Sequence, residues 1–94
     1  MFIVLLKFAD KSKAAQWMAG HNEWIQKGFA EQKFLLLGSL QPNLGGGILA
    51  KAESLQEIQA FVNEDPFVVH GVVTADILQI SPGKADPRLQ FLLE

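Results

Sequence analysis

Pro66 divides the two halves of this chain that differ most in pattern. Before it, from Ser54 onward, apolar residues recur at helical spacing; after it they come in the dense run of a strand. Proline disfavours the helical region for the residue that precedes it, so Asp65 is predicted to hold an extended backbone where a helix stops. An acid fixed there is either a helix terminator or a positioned functional carboxylate. The stretch Asn63-Glu64-Asp65-Pro66-Phe67 therefore sets one boundary to which the other segments must be fitted.

The remaining segments alternate in period. Phe2 to Phe8 is β-branched and aromatic with Lys7 its only charge, and reads as a strand buried on both faces. Asp10 and Ser12 are N-cap candidates, and Lys13 to about Gly28 is helical in pattern. Lys33 to Leu40 reads as a second strand, its apolar run broken by Gly38-Ser39. Gln41 to Gly47 reads as a turn on composition, and Ile48 to Ala52 as a short third strand, so strands two and three form a hairpin. Ser54 and Glu57 make a capping box for a helix that buries Leu55, Ile58, Phe61 and Val62. Gly71 to Ile80 is the last strand, closed by Pro82-Gly83. Asp86-Pro87 joins an N-cap to a proline suited to a first helical turn, which predicts a short tail helix over 87–93.

Strand, helix, strand, strand, helix, strand is the ferredoxin-like α+β order, βαββαβ. The chain is long enough for one such domain, 1–80, with a tail, 81–94, that belongs to it or to a subunit contact. Two helices cover only one face of the sheet. With 49% hydrophobic residues, and strands one and four apolar on both faces, the second face is predicted to be covered by another copy, in a homodimer or higher homo-oligomer.

Several function classes drop out. Net charge is −2 and Arg88 is the only arginine, against nucleic-acid binding, which needs clustered basic residues. The absence of cysteine removes thiol chemistry, and His21 and His70 lack metal-ligand spacing, so neither a metal nor another cofactor is expected. Gly45-Gly46-Gly47 precedes a strand with no Gly-Lys-Ser/Thr after it, so it is no phosphate cradle. Met1 to Phe8 is too short to span a bilayer and lacks the marks of a signal peptide; no membrane partner is expected, and the protein reads as cytoplasmic.

His21 is the informative residue. At about 100° per residue, Ala14, Trp17, Met18, Trp24, Ile25 and Gly28 all fall within roughly 60° of it, so His21 sits in the middle of the buried stripe. The ordinary reading is a core histidine bonded to a backbone carbonyl, with Asp65 as a cap. The functional one is a contact between the two, since the fold brings the end of the second helix near the first. A carboxylate accepting from one imidazole nitrogen fixes the tautomer and leaves the other as a base. Ser39 reads as a strand-end hydrogen bonder that can face a ligand, Trp17 and Trp24 as core or interface, and His70 as surface or interface.

The strand beginning Phe2-Ile3-Val4, His21 in helix one, Leu36-Leu37-Gly38 in strand two, and Asp65-Pro66-Phe67 followed by Gly71 together resemble the YCII family, to about Ile80. The resemblance implies a ferredoxin-like dimer of the α/β-barrel kind and a His-Asp dyad, His21 with Asp65. Many members carry arginine where this chain has Met18, and Gly-Pro where it has Ser39-Leu40, which makes the expected pocket more apolar. A family that includes a dehydrochlorinase of a chlorinated hydroxyhydroquinone then implies a cofactor-free lyase acting on a small aromatic molecule, with Ser39 and Phe67 lining the pocket. The alternatives are a non-catalytic dimeric binding or accessory domain and a cofactor-free monooxygenase.

Overall fold

The computed structural model describes residues 1–93. Its elements are β1 (Phe2–Phe8), α1 (Ala14–Ala30), β2 (Phe34–Leu40), β3 (Gly45–Ala50), α2 (Leu55–Val62), α3 (Pro66–Val69) and β4 (Val73–Gln79). The four strands form one antiparallel sheet in the order β2-β3-β1-β4, which is the ferredoxin-like arrangement with β1 and β3 inside.

The alternation of β1 decides which face becomes the core. Phe2, Val4 and Leu6 point towards the helices and are almost fully buried, while Ile3 and Leu5 point the other way. Onto the first face pack Trp24 of α1, Ile58, Phe61 and Val62 of α2, and Phe67 of α3. Trp24 spans the two long helices, its indole Nε1 donating to the Phe61 carbonyl at 2.8 Å. Among the described residues the opposite face carries no helix: Leu36 is 64% exposed and Leu78 53%. A slot of about 340 Å³ crosses it, walled by Ile3, Leu5, Leu36, Leu40 and Leu49 and floored by Gly38 and Gly47.

Several local expectations are corrected. Gly45–Gly47 is not turn but the first half of β3, paired with Lys7, Leu6 and Leu5 on one side and with Leu40, Ser39 and Gly38 on the other. Gly45 has φ 137°, and a Cβ there would fall 1.9 Å from the Leu6 carbonyl oxygen, so only glycine serves. The turn contracts to 41–44, and β3 ends at Ala50 where Ala52 was expected. Pro66 does not lead straight into a strand; it opens the single turn of α3, and Gly71, at φ 72°, bends the chain into β4. α1 continues past Gly28 to Ala30, after a 3-10 turn at Lys11–Lys13 that Asp10 caps. In the capping box, Ser54 Oγ accepts from the Glu57 N–H at 3.1 Å, but the Glu57 carboxylate reaches back to the N–H of Glu53. The tail is 3-10 over Pro87–Leu93 with a kink at Leu89, and begins with the Arg88 N–H donating to Asp86.

Candidate active site

Asp65 is built into the site by its backbone. With φ −62° and ψ 121° it is extended, as a residue before proline should be, and its carboxylate turns back to cap α3. Oδ1 accepts from the Phe67 N–H at 2.9 Å. The same oxygen lies 2.8 Å from His21 Nδ1. Asp65 has no exposed surface at all, and Oδ2 has no hydrogen-bond partner among the described residues. A buried carboxylate is costly unless paired, and here the pairing is concentrated on one oxygen.

His21 is the partner because α1 presents it at the right height. Its side chain is 14% exposed. One ring face lies flat on Phe67, with centroids 3.9 Å apart and planes 4° from parallel. Nδ1 is taken up by Asp65, which favours the tautomer with the proton on that nitrogen and leaves Nε2 as the basic one.

The imidazole lines a cavity of about 210 Å³ between α1 and the sheet. Met18, Asn22 and Ile25 of α1 and Phe67 wall it, and Leu6, Phe8, Leu37, Ser39 and Gly46 supply the sheet side. Ser39 and Phe67 thus share one cavity with His21, while Asp65 stands behind the ring. Among the described residues, Asn22 and Ser39 are its polar side chains besides His21, and no lysine, arginine or carboxylate lines it. Met18 was placed in the buried stripe by the helical wheel, yet it is 42% exposed, because α1 overhangs the cavity at that turn instead of packing on the core.

Some lining residues were missed. Ile25, four residues after His21, shares its helical stripe and could have been marked by that spacing, whereas Asn22, one residue on, carries no such signal. Gly46 was hidden by the turn reading of 41–47. His70 is exposed and stacks on Trp17, outside the cavity. Among the described residues no group of three histidine, aspartate or glutamate side chains is placed to hold a metal ion, and no helix is long and apolar enough to cross a membrane.

A ferredoxin-like α+β domain with a cavity on its helical side, where a histidine is tied to a buried aspartate, is the class that fold and site define. Within it, the chain belongs to the YCII-related domain family, whose model matches residues 1–80. Its fold is similar to that of 5-chloro-2-hydroxyhydroquinone dehydrochlorinase (TftG) from Burkholderia phenoliruptrix AC1100, in complex with 2,5-dihydroxybenzoquinone. The two superpose with a TM-score of 0.70 over 88% of this chain and 96% of that one, at 19% identity. No curated protein gives a match to this sequence.

Proposed function

We propose that this protein is a cofactor-free enzyme that moves protons on a small, neutral, hydroxylated aromatic ring, with His21 as the base and Asp65 as its orienting partner. The observation that carries the reading is the 2.8 Å contact between His21 Nδ1 and the fully buried Asp65, with the imidazole opening onto an uncharged cavity. A buried carboxylate so placed stabilises the imidazolium formed when Nε2 takes a proton. A cavity of about 210 Å³ takes one ring, and without lysine or arginine it favours a phenol over a carboxylate or phosphate. The quinone bound by the structural neighbour is also a single ring.

The specific reaction proposed is loss of HCl from a chlorinated hydroxyhydroquinone. One phenolic proton moves to the chlorine-bearing carbon, giving a ketone. His21 Nε2 then removes a second phenolic proton, the oxygen's electron pair enters the ring, and the carbon–chlorine bond breaks with its pair on chloride. The ring becomes a hydroxyquinone, and no external oxidant is needed because chloride carries the electrons away. Ser39 and Asn22, which line the cavity, would bond ring hydroxyls in this reading, and Phe67, stacked on His21, would hold the imidazole plane. Chloride release from chlorinated hydroxyhydroquinones is the assay. The wild type should release stoichiometric chloride and His21→Ala none above background; release by folded His21→Ala defeats the proposal.

A further inference from the structure

We infer that His70 is a positioning residue for the His21–Asp65 pair, acting through Trp17. α3 is one turn of four residues, too short to keep its place by its own hydrogen bonds. Yet it carries Asp65 at its cap and Phe67 against the imidazole. Its ends are tied by the Asp65 N–H donating to the Val62 carbonyl and the Val72 N–H to the Phe67 carbonyl, and α1 grips its side through two parallel stacks. The inner one is His21 on Phe67. The outer one is Trp17 on His70, with centroids 3.5 Å apart and planes again within 4° of parallel. Trp17 precedes His21 by one helical turn, and His70 follows Phe67 by three residues, so the stacks are rungs of one antiparallel ladder.

Alongside these rungs the helices are close enough that a Cβ on Gly20 would lie 3.0 Å from Pro66 Cγ. Lys13 Nζ also donates to the His70 carbonyl at 3.4 Å, fastening the far end of the turn. With the inner rung alone, α3 can rock about the Phe67 ring and carry Asp65 Oδ1 away from Nδ1. The second rung removes that freedom. Neither Trp17 nor His70 lines the cavity, so the outer rung acts on the pair and not on a ligand.

The inference rests on reading His21 and Asp65 as the working pair, but its test uses no substrate, so the two can fail separately. The ¹⁵N-labelled full chain is compared as wild type, His70→Ala and His70→Phe. Three signals are followed: amide exchange of the Phe67 N–H, the His21 ring nitrogens, and exchange of the Trp24 indole N–H as a core control. In His70→Ala the Phe67 amide should exchange roughly two- to tenfold faster, the loss expected for one aromatic stack. The His21 ring should shift from the Nδ1–H tautomer towards a mixture, with Trp24 unchanged. His70→Phe, which keeps a flat ring, should restore both. Wild-type behaviour of His70→Ala, failure of His70→Phe to restore it, or equal acceleration at Trp24 each overturns the inference. If the outer rung behaves as expected while no substrate is turned over, the clamp stands and only the reaction is lost.

Discussion

Asp65→Asn and Asp65→Ala separate two jobs held by one oxygen. Oδ1 accepts both the Phe67 N–H and the His21 Nδ1–H, and the Oδ2 site has no partner. An asparagine can leave its carbonyl oxygen where Oδ1 is and put its NH₂ into the unpartnered position. The cap and the hydrogen bond survive, and losing a buried charge offsets burying an unpaired NH₂, so folding stability should stay within about 1 kcal/mol of wild type. Alanine removes the cap, worth about 1 kcal/mol, and strands a buried imidazole donor at about 1–3 kcal/mol more. It should therefore cost about 2–4 kcal/mol, or on the order of 8–32 °C in Tm for a chain of this size. Turnover should follow the charge instead: both variants should lose about 10²- to 10⁴-fold in chloride release, because neither stabilises the imidazolium. Thermal melts and the chloride assay on the same samples decide it. If Asn melts as low as Ala, Oδ1 is not the shared acceptor; if folded Asn turns over within tenfold of wild type, the carboxylate is only a cap.

Three further outcomes are expected. At Gly46 an added Cβ comes no closer than 3.7 Å to the Gly38 carbonyl oxygen, so Gly46→Ala should fold with equal stability or gain about 0.4–1 kcal/mol. Its methyl fills the cavity floor, and affinity for a hydroquinone-sized ligand, measured by calorimetry, should fall at least tenfold; unchanged affinity would put the ligand elsewhere. Gly28→Ala places a Cβ 2.3 Å from two ring carbons of Phe34 and should cost about 1–3 kcal/mol in denaturant melts, partly recovered by adding Phe34→Leu. The open sheet face should hold a second copy: light scattering should give at least a dimer, and Leu36→Glu with Leu78→Glu a folded monomer, since an interface of about 800 Å² per partner has no room for buried unpaired carboxylates. A monomeric wild type defeats that expectation.

The element order was legible because each segment's period and its stops agreed. β1 is an unbroken β-branched and aromatic run, and α2 is bounded by Ser54 at one end and Asp65-Pro66 at the other. The facing of His21 was legible for the same reason, since one helical stripe holds it with Trp24 and Gly28, both buried. α3 was not. Four residues carry too little periodicity to announce a helix, and Phe67-Val68-Val69 has strand composition; the turn exists because Asp65 caps it and α1 stacks on it. Met18 was misplaced by a different limit. A helical wheel gives the direction in which a side chain points, but not whether sheet or empty space lies there.

The glycines show most sharply how one composition can mean two things. A run without side chains is the ordinary signal of a turn, and Gly45-Gly46-Gly47 follows Pro42-Asn43, which strengthens it. Yet the same run paired on both sides is a strand stripped bare. Gly46 opposite Ser39 opens the helical face, where the His21 cavity lies; Gly47 opposite Gly38 opens the other, where the apolar slot lies. At this point the sheet is one backbone thick between two hollows. Any side chain at Gly46 takes volume from the cavity, and a Cβ at Gly47 would come within 3.2 Å of Leu40. A β-strand interior normally loses stability by having glycine, so three in succession beside the candidate site need a reason. The cavity gives one at Gly46, the Leu6 carbonyl at Gly45, and the slot at Gly47. If a second copy seats in that slot, it presses on the strands that floor the cavity, and occupancy of one side then bears on the shape of the other.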